Sequence, residues 1–359
     1  MNAVSSPGPA VTGKQPILIT GGAGFIGSNL ADRLAAEGHD ILIYDALSRP
    51  GVETNLEWLR RRHPRKVSAT IADVRDAAAL GQAARDASAV FHLAAQVAVT
   101  TSLVDPRADF EINLAASFGL LDALRQRGGR VPLIFASTNK VYGDLADVGL
   151  VLDGDSYVPA DPELRARGIG EDRSLDFHTP YGCSKGAADQ YVLDFGRSFG
   201  VPTAVLRMSC IYGQRQMGTE DQGWVAHFVL RALRGEPISI YGDGCQVRDV
   251  MDVGDAVEAY VAALRHIDAV SGRAFNLGGG PANAISLRQL IGHIGDITNR
   301  KVETRYSDWR AGDQRYYVSD TTAVTRELGL RPARPWREGV AALAQWLRQE
   351  RVALEPASA

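Results

Sequence analysis

The sequence predicts an α/β fold: a doubly wound parallel sheet followed by a smaller C-terminal α/β domain. Three observations predict it. Short apolar runs alternate with stretches of helical periodicity from residue 16 onward, the pattern of strand–helix–strand units in a parallel sheet. The runs are apolar almost throughout rather than at every second position, as strands covered on both faces require. A glycine-rich turn joins the first run to the first helix.

The elements follow in order. Pro16–Thr20 (PILIT) reads as a strand that stops at glycine, and Phe25–Glu37 has helical spacing. Asp40–Tyr44 (DILIY) is the second strand, Val52–Arg62 a helix, Val67–Ile71 a strand and Ala77–Arg85 a helix. Ala89–Leu93 (AVFHL) is a strand, Asp109–Gln126 a helix and Pro132–Ala136 (PLIFA) a strand. The alternation pauses over residues 144–178, rich in Asp, Gly, Pro and Arg; a stretch of that length is expected to be functional or partly ordered. A helix over Pro180–Phe199 and a strand over Pro202–Arg207 resume the pattern. Helices are then expected at Trp224–Arg234, Asp255–His266, Ser286–Ile297 and Trp336–Arg348, with Gly278–Gly280 as a turn.

The glycine turn carries the first functional signal. Gly21, Gly24 and Gly27 give G-x-x-G-x-x-G between a strand and a helix, one residue away from the commoner G-x-G-x-x-G. Without side chains the turn is tight, and backbone N–H groups at the helix start can approach a pyrophosphate. Asp45 ends the second strand, where a carboxylate accepts hydrogen bonds from ribose hydroxyls and repels a 2′-phosphate. This is a Rossmann-type dinucleotide site, and it favours NAD over NADP. Asp73, after the third strand, either binds the adenine edge or caps the next helix.

Tyr181 and Lys185 lie one helical turn apart on one face. Ser137 and Thr138 follow the fifth strand, at the carboxyl end where ligands sit in open α/β sheets. A neighbouring ammonium and a positive nicotinamide ring are expected to lower the phenol's pKa, letting Tyr181 remove a hydroxyl proton while Thr138 holds the oxygen.

Composition bounds the partners. The 39 basic and 42 acidic residues give a net charge of −3, without the basic excess of a nucleic-acid binder. Hydrophobic residues at 45% and charged residues at 23% are ordinary for a globular chain. No apolar run reaches the roughly 20 residues of a membrane span. Met1–Lys14 reads as a loose tail without a signal-peptide pattern. Cys183, Cys210 and Cys245 form no disulfide framework, so a cytoplasmic home is the default; Cys183 is expected to be a small buried thiol. The seven histidines lack paired ligand spacing, and no metal is expected. The basic cluster Arg60–Lys66 falls at a helix end, where cations offset the dipole.

Together these residues resemble the extended short-chain dehydrogenase/reductase (NAD-dependent epimerase/dehydratase) superfamily from about residue 15 to 348. Its landmarks occur in order: Gly21–Gly27, Asp45, His92-Leu93-Ala94-Ala95, Ser102, Pro106, Asn113, Ser137-Thr138, Val141-Tyr142-Gly143, Tyr181–Lys185 and Gln246–Asp249. The resemblance implies Thr138, Tyr181 and Lys185 as catalytic residues. It places Gly21, Gly24, Phe25, Ile26, Gly27, Asp45, Asp73, Val74, Leu93, Ala94, Ala95, Asn113, Tyr181 and Lys185 at or around NAD. It also implies a 15–205 NAD-binding domain with an insertion at 144–178. Residues 206–359 are then mainly a substrate-binding domain, with segments near 240–277 returning to the first, and a homo-oligomer (dimer or tetramer) is expected.

Dehydratases of the superfamily read S-T-D-E-V-Y-G after the fifth strand, and their two carboxyl groups drive dehydration. Here Asn139 and Lys140 occupy those places, which disfavours that reaction. Ser137–Gly143 (STNKVYG), Leu175–Tyr191 (LDFHTPYGCSKGAADQY), Asp221–Phe228 (DQGWVAHF), Gln246–Val250 (QVRDV) and Gly312–Tyr316 (GDQRY) are similar to the CDP-paratose (CDP-tyvelose) 2-epimerases. That resemblance implies a CDP-sugar substrate, transient oxidation at C2, turning of the keto sugar and return of the hydride. Arg248, Arg310 and Asp313 match its diphosphate-binding segments, or are surface ion pairs. Gln222, Gly223 and Trp224 are expected at the base or sugar pocket, with Trp224 equally placed to be core. Asn139 and His178 are sugar-binding candidates, with helix entry the other role for His178. Two other readings share the fold: a C4- or 2-epimerase of UDP- or GDP-hexoses, and a non-catalytic dinucleotide-binding regulator.

Overall fold

The uninterrupted apolar runs become the strands of one seven-stranded parallel sheet in the computed structural model, which describes residues 15–128, 131–310 and 312–354. The tail expected at residues 1–14 lies outside the described residues. β1 (Ile17–Thr20), β2 (Ile41–Asp45), β3 (Val67–Ile71) and β4 (Ala89–His92) alternate with α1 (Phe25–Ala36), α2 (Val52–Arg62) and α3 (Ala77–Asp86). The helix expected at Asp109–Gln126 is present and contains a π-helical turn. α4 (Val99–Val104) and α5 (Pro106–Phe110) precede a π-helical turn, Glu111–Ala115, and α6 (Ala116–Arg127) follows it. The wide turn carries the buried Asn113, whose hydrogen bonds are described below.

β5 (Leu133–Thr138) leads into the insertion, which holds an antiparallel hairpin of β6 (Leu150–Asp153) and β7 (Ser156–Pro159) and the short α7 (Pro162–Arg167). α8 (Thr179–Phe199) and β8 (Thr203–Met208) then return to the sheet. Beyond them come β9 (Cys210–Tyr212), α9 (Trp224–Arg234), β10 (Ile238–Tyr241), β11 (Val247–Asp252), α10 (Val253–Arg265), α11 (Ile267–Val270) and β12 (Arg273–Leu277). The chain ends with β13 (Ala284–Ser286), α12 (Leu287–Thr298), β14 (Thr304–Ser307), β15 (Tyr316–Tyr317), α13 (Thr322–Leu328) and α14 (Trp336–Leu354).

The strand order is β12-β8-β5-β4-β1-β2-β3. The chain winds one way from β1 to β3 and the other way from β4 outward, so a crevice opens at the carboxyl ends of β1 and β4. Residue alternation along β1 sends Ile17 and Ile19 to one face and Leu18 to the other. The first face packs α1, α2 and α10 through Leu30, Leu34, Leu56 and Tyr260; the second packs α3, α6 and α8 through Leu80, Leu121 and Val192. A separate core joins α9, α12 and α14 through Phe228, Leu290, Ile294 and Leu343. α12 begins with a reciprocal cap between Ser286 and Gln289. Among the described residues, no helix is long and apolar enough to cross a membrane.

Candidate active site

The glycine turn sits in the crevice. Gly21 adopts φ +68°, and a Cβ there would lie 2.7 Å from the Ala94 backbone nitrogen. A Cβ on Gly27 would lie 2.3 Å from the Gly21 carbonyl oxygen, so these two glycines let α1 start tight against the ends of β1 and β4. Gly24 differs. It is the N-cap of α1, no side chain caps the helix, and a Cβ at Gly24 would meet only the Gly21 oxygen, at 3.1 Å. The α1 N-terminus, next to Phe25, Ile26 and Gly27, is therefore an open cradle of N–H groups suited to a pyrophosphate.

Asp45 stands at the end of β2 and accepts from Ala23 N (3.0 Å) and Leu47 N (2.9 Å). The carboxylate thus holds the turn in place and keeps lone pairs for ribose hydroxyls. Asp73 has another engagement: Arg75 holds it through the backbone N–H and the guanidinium, keeping its carboxyl below the usual range. The cap of α3 is Asp76, which accepts from Ala79 N, so Asp73 is not the helix cap. Val74 is buried beside it. Leu93, Ala94 and Ala95 follow β4 and pass against Gly21. Asn113 is fully engaged: it donates to Gln96 O (3.0 Å), Asp109 and Ser184, and accepts from Gln96 N (2.9 Å). It fixes the segment after β4. The open cradle and the carboxylate at β2 fit NAD.

Thr138 ends β5, Tyr181 lies in the first turn of α8 and Lys185 one turn further; all three are buried. The Tyr181 N–H donates to Ser102 Oγ at 3.2 Å. Lys185 Nζ donates to Ala136 O at 2.6 Å and lies over the Phe135 ring. Burial pushes the Tyr181 phenol up to about 12, with the Thr138 side chain opposing it, and pushes Lys185 down to about 7. The expectation that Lys185 lowers the phenol is not met by the protein's own groups, because the loss of hydration outweighs them.

One turn beyond Lys185, Asp189 bolts the site together. It accepts from Ser137 Oγ (2.7 Å) and takes a two-point contact from Arg207 (2.9 Å each). Arg207 also donates to Tyr142 Oη at 3.1 Å, and Tyr142 donates to Asn276 at 2.7 Å. The ends of β5, β8 and β12 are thus tied to α8 without exposed groups: Arg207 is 4% and Asp189 0% exposed.

A cleft of about 400 Å³ opens from Thr138 and Tyr181 toward α9. Phe25, Ile26, Asn139, Gln222, Gly223, Trp224, Arg248, Arg310 and Asp313 all line it. Asn139 donates to Gln314 Oε1 at 3.1 Å, and Gln314 in turn donates to Gly143 O. Arg248 is buried and paired with Asp313 at 2.7 Å, so the ion-pair and cleft readings of this arginine coincide. Arg310 lies 3.8 Å over the Tyr241 ring and pairs with Asp221 at 3.3 Å. Trp224 donates to Cys210 Sγ at 3.3 Å and packs edge-on against Phe228, so it serves both cleft and core.

Of the two roles open to His178, the structure gives helix entry: it does not line the cleft and is the half-exposed N-cap residue of α8, bonded to Asp176 at 3.0 Å with Asp144 at 3.8 Å. Cys183 is exposed rather than buried. Sequence reasoning also missed cleft residues. Lys140, Met208, Ser209, Cys210, Glu220 and Gln246 line the wall without having been assigned to it; Lys140 and Gln246 lie in the STNKVYG and QVRDV stretches, and the other four carry no motif of their own.

A crevice for a dinucleotide, with a buried tyrosine and threonine on the wall of an adjoining cleft and a buried lysine one helical turn from the tyrosine, defines an enzyme of the Rossmann fold. Residues 17–278 match the NAD dependent epimerase/dehydratase family, and the chain belongs to that family. It is 40% identical over 92% of its length to the CDP-paratose 2-epimerase of Salmonella typhi, covering 98% of that protein. It is 32% identical to the UDP-glucose 4-epimerase of Mycolicibacterium smegmatis, over 93% of this chain and 98% of that one. Among solved structures, the UDP-glucose 4-epimerase of Thermotoga maritima with UDP-glucose superposes with a TM-score of 0.79 at 30% identity, covering 95% of this chain and 100% of that one. The Thermus thermophilus UDP-glucose 4-epimerase in complex with NAD gives 0.76 at 30% identity, over 93% and 99% of the two chains.

Proposed function

We propose that this nucleotide-sugar epimerase acts at C2 and interconverts CDP-paratose and CDP-tyvelose. The observation that carries the reading is the 40% identity to a CDP-paratose 2-epimerase over nearly the whole of both chains. Identity to the 4-epimerases and dehydratases is lower, 28 to 32%. Asn139 and Lys140 beside Thr138 supply no carboxyl pair for dehydration.

Gly21, Gly24, Gly27 and Asp45 would hold NAD, which would supply a reversible hydride acceptor for C2 of the sugar. Tyr181, as the phenolate that the positive ring of bound nicotinamide would favour against burial, receives the proton of the 2-hydroxyl and returns it, Thr138 holds that oxygen, and Lys185 fixes the end of β5 through Ala136. Arg248 and Arg310 grip the nucleotide diphosphate while the keto sugar turns in the cleft. Trp224, Gln222 and Gly223 wall the nucleotide end. The test is CDP-paratose with the purified NAD-loaded protein, followed by the anomeric proton signal without added reductant. Conversion to CDP-tyvelose at constant total sugar is expected. Turnover of UDP-glucose with none of CDP-paratose would move the reaction to C4.

We also propose that the protein works in the cytoplasm, where its free cysteines stay reduced, and that it self-associates through α6 and α8. Phe118, Tyr191 and Phe199 lie exposed on those helices, with the Phe118 and Tyr191 rings 5.4 Å apart. Light scattering is expected to show a dimer or tetramer that dissociates with Phe118→Glu; a monomer at every concentration would refute this.

A further inference from the structure

We propose that Lys140 binds the sugar-linked β-phosphate of the substrate, and that its place beside Thr138 selects C2 for oxidation. The inference rests on the C2 reading above and names a residue that sets it.

Lys140 is two residues from Thr138, on the turn that follows β5, and its N–H donates to Thr138 Oγ1 at 3.2 Å. Its side chain lines the same cleft as Thr138 and Tyr181. An ammonium has three donors. One goes to Gly312 O at 3.0 Å, which leaves donors for a ligand in the cleft. The charged and titratable groups around it are Arg248, Asp313, Asp144 and the Cys210 thiol. Asp313 is already paired with Arg248. Asp144 stands by His178 and does not line the cleft, so Lys140 and Arg248 face the cleft as two cations whose one neighbouring carboxylate there, Asp313, is bonded to Arg248. Burial and Arg248 push the Lys140 ammonium down to about 8, and an anion beside it would relieve both effects.

The chemistry of a nucleotide sugar supplies that anion at one distance only. The diphosphate hangs from C1. C2 adjoins C1, whereas C4 lies across the ring. When C2 faces Tyr181, the β-phosphate must lie next to the catalytic hydroxyls, where Lys140 stands. When C4 faces Tyr181, the phosphate is carried away from Lys140 toward the outer cleft. A cation one short turn from Thr138 is thus matched to oxidation beside the anomeric carbon.

The test compares CDP with CMP by titration calorimetry on the NAD-loaded enzyme, because the two differ by the β-phosphate. UDP with UMP runs in parallel, so the readout does not depend on the base. Lys140→Met is expected to reduce the preference for the diphosphate by about 10- to 100-fold while leaving CMP affinity nearly unchanged. Lys140→Arg is expected to restore it. In the wild type the preference falls as pH rises through about 8, because the ammonium is lost there, and in Lys140→Arg it stays flat. An unchanged preference in Lys140→Met, or equal weakening of CDP and CMP, would overturn the phosphate contact. The regiochemical part is read separately. Wild-type enzyme that oxidises C4 of UDP-glucose but not C2 of CDP-paratose would overturn the selection of C2, whatever the binding result.

Discussion

Tyr181→Phe is expected to lower turnover by about 100- to 10,000-fold, the usual worth of a positioned acid–base group. The ring fills the same buried space, so NAD content and CDP affinity should stay near wild type. The change removes only the hydroxyl that exchanges the sugar proton. Thr138 remains to hold the substrate oxygen, which accounts for a residual rate. Single-turnover conversion of CDP-paratose measures the effect. Activity within about tenfold of wild type would take the base away from Tyr181.

The second large effect concerns stability. Asp189→Ala leaves Arg207 buried and charged with no carboxylate, and loses the acceptor of Ser137 Oγ. Breaking one side of a buried pair costs about 3–5 kcal/mol. Denaturant unfolding should show that loss. The double variant Asp189→Ala/Arg207→Met should recover part of it, because no uncompensated charge remains. A single variant as stable as wild type would mean that water reaches Arg207. Because the network also holds Ser137, the neighbour of Thr138, the single variant should lose activity even where it stays folded.

Much of the fold was legible because its signals are local. Apolar runs mark the strands of a sheet covered on both faces, and the glycine spacing marks the turn where α1 starts close against β1. The order of Asp45, Thr138, Tyr181 and Lys185 follows from strand ends and one helical turn. The exposure of Cys183 was also readable: two residues past Tyr181 is roughly 200° around a helix, the far side from the cleft. Asp189 was readable by the same period and was passed over, since its partner Arg207 comes from another strand.

The rest needed the tertiary structure. Lys140 served in the sequence as an argument against dehydration and as part of the STNKVYG stretch, with no role of its own. Its place in the cleft depends on Gly312 and on Arg248 of β11, which return to it from far along the chain. His178 sits three residues from Tyr181 in sequence, yet the extended backbone of the N-cap turns its side chain to Asp176 and the solvent. Asn113 looked like part of a regular helix. Its hydrogen bonds to Gln96 instead go with a widened turn. The phenol of Tyr181 shows the same limit: proximity in sequence to a lysine suggested a lowered pKa, but burial decides the direction.

In the proposed reaction C2 is inverted by oxidation and reduction rather than by removal of a carbon-bound proton. The direct measurement is conversion of CDP-paratose in deuterium oxide, read by proton NMR at C2 of the product. CDP-tyvelose that keeps its C2 hydrogen at full intensity is the expected product. Deuterium from the solvent at C2 would contradict it.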